Sequence, residues 1–180
     1  NKVLKISDKK IVKKINIKTK NKSIKNQRYL QNKLILNKIL EKKISLNFSG
    51  LSIDTRTIKK GNLFLTIKGK KLEGNKFVNI ALKKGAGCVI SSKKSKNKNK
   101  KIITVKNTVS FLNNFAKFKR KLSLAKIIAV TGSAGKTSLK NLIKDLLQNL
   151  GKTCHSSKSF NNHLGVPISL SNLSFDDKFG

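Results

Sequence analysis

Ile127-Ile128-Ala129-Val130-Thr131-Gly132-Ser133-Ala134-Gly135-Lys136-Thr137-Ser138 is the stretch on which the reading of this chain turns. Four apolar residues predict a strand. Leu139, Leu142, Ile143, Leu146, Leu147 and Leu150 follow at helical spacing, with Gly151 placed to end that helix. Strand, glycine turn and helix start form the arrangement that holds a nucleoside triphosphate. Gly132 and Gly135 let the backbone approach phosphate oxygens, and the run from Gly132 through Ser133, Ala134, Gly135, Lys136, Thr137 and Ser138 supplies amides to them. Lys136 adds a point charge near the outer phosphates, and a hydroxyl at Thr137 or Ser138 can ligate magnesium. The spacing G-x-x-G-K-T is two residues shorter than the usual phosphate-loop form, so the flanks carry the assignment. A lysine-bearing surface turn is the alternative, and such a turn would not come with both flanks.

Composition narrows the class. The 180 residues carry a formal net charge of +35, which would ordinarily point to nucleic acid or an anionic membrane. Arginine, the favoured reader of phosphates and base edges, occurs only at Arg28, Arg56 and Arg120, so lysine supplies the rest of the 42 basic residues. Lysine, asparagine and isoleucine all have A/T-rich codons, and a codon bias accounts for much of the excess without a polyanionic partner. Two cysteines, Cys88 and Cys154, stand far apart and form no CxxC pair, which fits a reducing compartment rather than a disulfide scaffold or structural zinc. No apolar run approaches the ~18 residues that would span a bilayer. A cytoplasmic protein without stable membrane insertion is expected. With no methionine, and with only two strands of a nucleotide-binding sheet in view, a fragment of a longer protein is expected as well.

The organisation expected is α/β: a small N-terminal α/β module, followed by the beginning of a phosphate-loop, mostly parallel-sheet domain. Residues 1–27 read as a basic lead. Residues 28–106 form the first module, 107–125 a bridging helix and linker, and 126–180 the start of the second. Within the first module a helix is expected from Tyr29 to Leu40 and strands over Phe48 to Ile53, Leu63 to Ile67, Cys88 to Ser91 and Ile102 to Val105. Lys59 to Asn62 marks a turn and Lys68 to Gly74 a polar loop. Asn75 is expected to cap a helix that buries Phe77, Val78, Ala81 and Leu82 and ends at Gly85 or Gly87. Ser91 to Lys101 reads as a solvated loop. The bridging helix, Thr108 to about Lys121, presents Val109, Leu112, Phe115 and Ala116 on one face.

A second diagnostic stretch follows the phosphate-loop helix. Thr153 to Ser157 predicts another strand, and Ser159-Phe160-Asn161-Asn162-His163-Leu164-Gly165-Val166-Pro167 a polar loop at its C-terminal end. Such loops gather around the ligand in doubly wound sheets. Asn161 or Asn162 can donate to a phosphate or hold a metal-bound water; capping a turn is an equal alternative from the residues alone.

Together these stretches resemble the Mur ligases, the ATP-dependent amide ligases of peptidoglycan precursor synthesis. Ser52-Ile53-Asp54-Thr55-Arg56 through Gly61-Asn62-Leu63-Phe64 is similar to the family's UDP-substrate domain, with its D-[ST]-R and G-x-L-F signatures. Val130 to Ser138, followed by Asn161 to Pro167, is similar to the start of its ATPase domain. The likeness runs from about residue 32 to the end. Ala134 stands where the family often has Asn, and Glu73-Gly74-Asn75 where it often has D-G-H. The N-N-x-x-G-x-P loop favours the member that joins D-alanyl-D-alanine to UDP-N-acetylmuramoyl-tripeptide.

The resemblance implies that ATP phosphorylates the substrate's terminal carboxylate and that an amine then displaces phosphate. It places Lys136 in catalysis, Gly132 to Ser138 and Asn162 at ATP, Thr137 or Ser138 at Mg2+, and Ser52, Asp54, Thr55 and Arg56 at the uridine nucleotide. An Asp54–Arg56 salt bridge that merely fixes a turn is an equal alternative for that last group. The rivals are another Mur ligase (the one adding the third peptide residue), a folylpolyglutamate-type ligase, and a basic nucleic-acid-binding protein with a phosphate loop. The last predicts arginine and aromatic residues interleaved on one face, and this chain has no tryptophan and one tyrosine. No nucleic-acid partner is therefore expected. A monomer is expected, and the fragment alone is expected to be inactive.

Overall fold

The computed structural model describes residues 23–68, 74–94, 99–156 and 163–180. It forms two compact units, the first ending at Phe115 and the second running Ala116–Gly180. The basic lead lies outside the described residues as far as residue 22.

The first unit begins with helix α1 (Ile24–Leu40), which starts five residues before the apolar pattern predicts and ends at Glu41, with φ 52°. The weak pattern has a physical origin: the buried stripe of α1 is half polar, made of Gln31, Asn32, Ile35 and Leu36. Asn32 is tolerated there because its Nδ2 donates to the carbonyl of Phe48 at 2.9 Å.

Strands β1 (Leu51–Ser52), β2 (Leu63–Leu65), β3 (Cys88–Ser91) and β4 (Ile102–Thr104) form one parallel sheet in the order β1-β2-β3-β4. β2 and β3 are buried at every position, the pattern of parallel strands covered on both faces. β1 is shorter than the strand expected over Phe48 to Ile53. Its ladder stops where Ser52 Oγ accepts from Asp54 N–H at 3.2 Å and donates to Asp54 O at 3.0 Å, turning the chain away.

The segment after the 68–74 loop corrects one expectation. Asn75 does not cap a helix; it lies in a 3-10 turn (Gly74–Phe77) ahead of α2 (Val78–Lys83). Its Oδ1 instead accepts from Ser91 Oγ of β3 at 2.7 Å. Residues 69–73 of that loop and 95–98 of the lysine-rich loop lie outside the described residues. Helix α2 ends as expected at Gly85, with φ 82°. Ala86 N–H reaches Ala81 O at 3.0 Å and Gly85 N–H reaches Leu82 O at 2.9 Å, the paired bonds of a left-handed glycine stop. Val78, Ala81, Ala86, Phe64 and Val89 pack together beneath it.

Helix α3 (Thr108–Leu122) crosses the division between the units. In its first half the core residues are Phe111, Leu112 and Phe115, with Val109 only half-buried. Phe115 meets Phe48 at 5.7 Å and Phe111 at 6.0 Å between ring centroids. Cys88 is fully buried, and burial pushes its thiol up to about 12. We expect Ellman titration at pH 8 to detect only the half-buried Cys154 in the folded chain and both thiols in denaturant.

The second unit departs from the sequence reading at both strands. Neither Ile127 to Val130 nor the described part of the second segment, Thr153 to Ser156, forms a regular strand; isolated bridges stand at Lys126 and at Thr153. Both bridges go to Phe179: Lys126 pairs with it on one side and Thr153 on the other, in parallel. Lys126 N–H donates to Lys178 O at 2.9 Å, Ile128 N–H to Gly180 O at 2.8 Å, and Cys154 N–H to Phe179 O at 2.9 Å. A third segment, around Phe179, therefore pairs with both expected strands, through isolated bridges rather than a ladder. Helix α5 (Gly165–Ser171) replaces the end of the expected polar loop. Pro167 is its third residue, where the missing N–H costs no intrahelical bond.

Candidate functional site

Helix α4 (Lys136–Gln148) grows directly from the glycine loop. Gly135 caps it in the left-handed region with φ 74°, and Gly132 has φ 148°. A Cβ on Gly135 would meet nothing within 4 Å, so the demand for glycine there is conformational rather than steric. The helix ladder opens with Leu139 N–H to Gly135 O at 2.9 Å, so the first-turn amides precede it and face the loop. Thr131 to Gly135 are all exposed, as are Thr137 and Ser138. Lys136 curls back over the loop: its Nζ donates to the carbonyls of Gly132 and Ser133, the latter at 3.0 Å. An ammonium held over a ring of backbone groups at the positive end of a helix suits an anion with several oxygens.

The hydroxyls of Thr137 and Ser138 at this helix start fit a magnesium site of the usual kind, where protein gives one or two ligands and phosphates and waters the rest. Among the described residues no group of three or more His, Cys, Asp or Glu is placed to hold a metal. Asn162, with Asn161, lies outside the described residues. His155 sits beside α4, and burial together with the charges of Lys144 and Lys140 lowers its pKa, which keeps the imidazole neutral near pH 7.

The apolar residues expected at helical spacing do lie on a helix, α4, apart from Leu150 just past its end. No residue of the helix is buried, and Leu142 and Leu146 are 58% and 60% exposed. The apolar spacing forms the helix, but only Ile143 and Leu147 of that set are half-buried, and Leu139, Leu142, Leu146 and Leu150 remain exposed.

The four residues expected at the uridine nucleotide form one tight turn in the first unit. Ser52 and Thr55 are buried. Ser52 Oγ is engaged with Asp54, and Thr55 O accepts from Lys84 Nζ at 2.8 Å. Asp54 Oδ1 accepts from Arg56 N–H at 2.9 Å and from its Nε at 3.0 Å, while Nη2 donates to Oδ2 at 2.8 Å. Hydrogen bonding to Asp54 and its charge raise the Arg56 pKa further. The salt-bridged turn is thus realised, yet the Arg56 side chain remains 85% exposed. We expect Arg56→Lys, which cannot form the fork, to leave the urea denaturation midpoint essentially unchanged, as for other exposed pairs.

Lys140 is a site-adjacent residue that the sequence reading passed over. Its Nζ donates to Ser156 O at 2.8 Å, joining α4 to the segment after Thr153. Its position four residues after Lys136 was the available signal, overshadowed by the leucine spacing.

Comparison with known proteins gives this geometry its setting. The model for the Mur ligase family, catalytic domain, matches residues 47–127, and that for the Mur ligase middle domain matches residues 130–178. The chain belongs to the Mur ligase family. It is 39% identical over 136 residues to the UDP-N-acetylmuramoyl-tripeptide--D-alanyl-D-alanine ligase of Rickettsia prowazekii, a match covering 75% of this chain and 30% of that protein. Among solved structures it is similar to the MurF ligase of Thermotoga maritima in complex with ADP. That likeness has a TM-score of 0.54 and 28% identity, over 68% of this chain and 29% of that one. MurF of Acinetobacter baumannii shares the fold with a TM-score of 0.67 at 24% identity, over 82% of this chain and 34% of that one. The chain thus spans about 30% of the length of the Mur ligases it matches in sequence. Among the described residues no helix is long and apolar enough to cross a membrane.

Proposed function

We propose that this chain is part of a cytoplasmic Mur ligase that joins D-alanyl-D-alanine to UDP-N-acetylmuramoyl-tripeptide at the expense of ATP. The observation that carries the reading is the glycine loop running into α4, with Gly135 left-handed and Lys136 over the loop carbonyls, in a chain similar to an ADP-bound ligase. The first unit is assigned to the UDP-substrate, with the exposed guanidinium of Arg56 projecting from a turn built by Ser52, Asp54 and Thr55. The second unit is assigned to ATP, held by the amides of Gly132 to Ser138, by Lys136 and by Asn162.

A carboxylate is a poor electrophile and must be activated. In this mechanism an oxygen of the tripeptide carboxylate bonds to the γ-phosphorus of ATP, the bond from that phosphorus to the bridging oxygen breaks, and ADP leaves. The amine of D-alanyl-D-alanine then bonds to the acyl carbon, the carbon–oxygen bond breaks, inorganic phosphate leaves and the amine proton passes to solvent. Lys136 and the first-turn amides neutralise charge that spreads over the transferred phosphoryl group, which is positioning and electrostatics rather than covalent work. Mg2+ bound at Thr137 or Ser138 would supply further neutralisation of the phosphate oxygens. The catalytic unit is taken to be a monomer.

The test is ADP release by the full-length enzyme with UDP-N-acetylmuramoyl-tripeptide and a panel of amines. Release that depends on D-alanyl-D-alanine supports the reading. Release driven by a diamino acid and the dipeptide-level UDP substrate would assign the chain to the ligase that adds the third residue.

A further inference from the structure

The bond from Lys140 to Ser156 joins two elements that the proposed chemistry needs at a fixed separation. Lys140 lies one helical turn beyond Lys136 on the same side of α4. Its half-buried Nζ donates to Ser156 O at 2.8 Å across sixteen residues of chain. Ser156 closes the described part of the segment that pairs with Phe179 at Thr153, so the bond grips that segment at its C-terminal end. Ligand-binding loops of parallel sheets leave from such ends. The acceptor is a neutral carbonyl, so the lysine charge is not cancelled by it. The depressed pKa of His155, next to Ser156, is consistent with Lys140 and Lys144 acting on this exit together.

We propose that Lys140 is a positioning residue for the nucleotide: it ties the 153–156 segment to the first turns of α4, and so fixes the helix start that carries Lys136 and the phosphate loop. The inference rests on the reading that this loop binds ATP. Transition-state stabilisation by fixed amides and Lys136 tolerates little displacement, and a single charged donor on a carbonyl is enough to hold two elements in register. Asp, Glu or an aliphatic residue could not make this bond; Arg could.

The experiment compares Lys140→Met and Lys140→Arg in the full-length enzyme, varying ATP and the UDP substrate separately, with thermal unfolding of each variant. Met keeps most of the stem and removes the donor; Arg keeps charge and donor. We expect Lys140→Met to lower kcat/KM for ATP about tenfold, with KM for the UDP substrate changed less than about twofold, and Lys140→Arg to recover to within about threefold of wild type. The proposal is overturned if Lys140→Met stays within about twofold of wild type for ATP. It is also overturned if both substrates lose efficiency in proportion to the folded fraction, or if Lys140→Arg is as impaired as Lys140→Met. A wild-type enzyme whose ligation needs no ATP would show up separately, and would remove the reading beneath the proposal together with the proposal itself.

Discussion

Lys136→Ala in the full-length enzyme is expected to lower ATP-dependent ligation by at least about a hundredfold, the scale of losing one preorganised charge at a developing anion. The UDP substrate should bind with unchanged affinity, because its assigned residues lie in the other unit. The fold should also survive. Among the described residues Lys136 Nζ is bonded to the carbonyls of its own loop, Gly132 and Ser133, which are solvent-exposed and can bond water instead. Steady-state kinetics with a parallel binding titration of the UDP substrate checks both parts. Wild-type turnover in this variant would remove Lys136 from catalysis.

Phe115→Ala should have the largest effect on folding, about 3–5 kcal/mol, the usual range for deleting a buried aromatic ring. Phe115 is fully buried and contacts both Phe48, at the entry to β1, and Phe111, one turn back on α3. Deleting the ring leaves a cavity between Phe48 and Phe111. Urea denaturation of the chain followed by far-UV circular dichroism should show the midpoint falling sharply. Phe118→Ala, with a half-buried ring on the same helix, should shift it much less.

How far the sequence could be read depended on whether local chemistry or remote pairing set each element. Local rules were sufficient for the glycine loop and its helix, for the stop at Gly85 and for β3, since each depends on a φ preference or a short apolar run. They were sufficient also for the α/β class, since strand and helix patterns alternate along the first module, although a parallel ladder is expected of the second module and observed in the first. They failed where a distant partner decides. The polar buried stripe of α1 hides its periodicity, since Asn32 is held by a carbonyl sixteen residues away. Asn75 looks like a cap until Ser91 is brought beside it. The role of Phe179 between Lys126 and Thr153 has no signature in the nearby sequence.

The candidate site divided along the same line. The phosphate loop was legible as a whole, because a single contiguous stretch builds it. At Asp54-Thr55-Arg56 the residue types left ligand contact and a structural turn equally open. Geometry shows that the turn exists and that Arg56 projects furthest from it, with Asp54 half-buried and Ser52 and Thr55 buried. Lys140 was overlooked for the opposite reason: in a lysine-rich chain its spacing from Lys136 is a weak signal until its acceptor is located.

Titration calorimetry of the full-length enzyme with ATP and with UDP-N-acetylmuramoyl-tripeptide, each alone and each repeated on Lys136→Ala, tests the central claim most directly. The account predicts two separate binding events in the wild-type enzyme, with only the ATP event weakened in the variant. An ATP isotherm that is absent from the wild type, or identical in the two proteins, would contradict it.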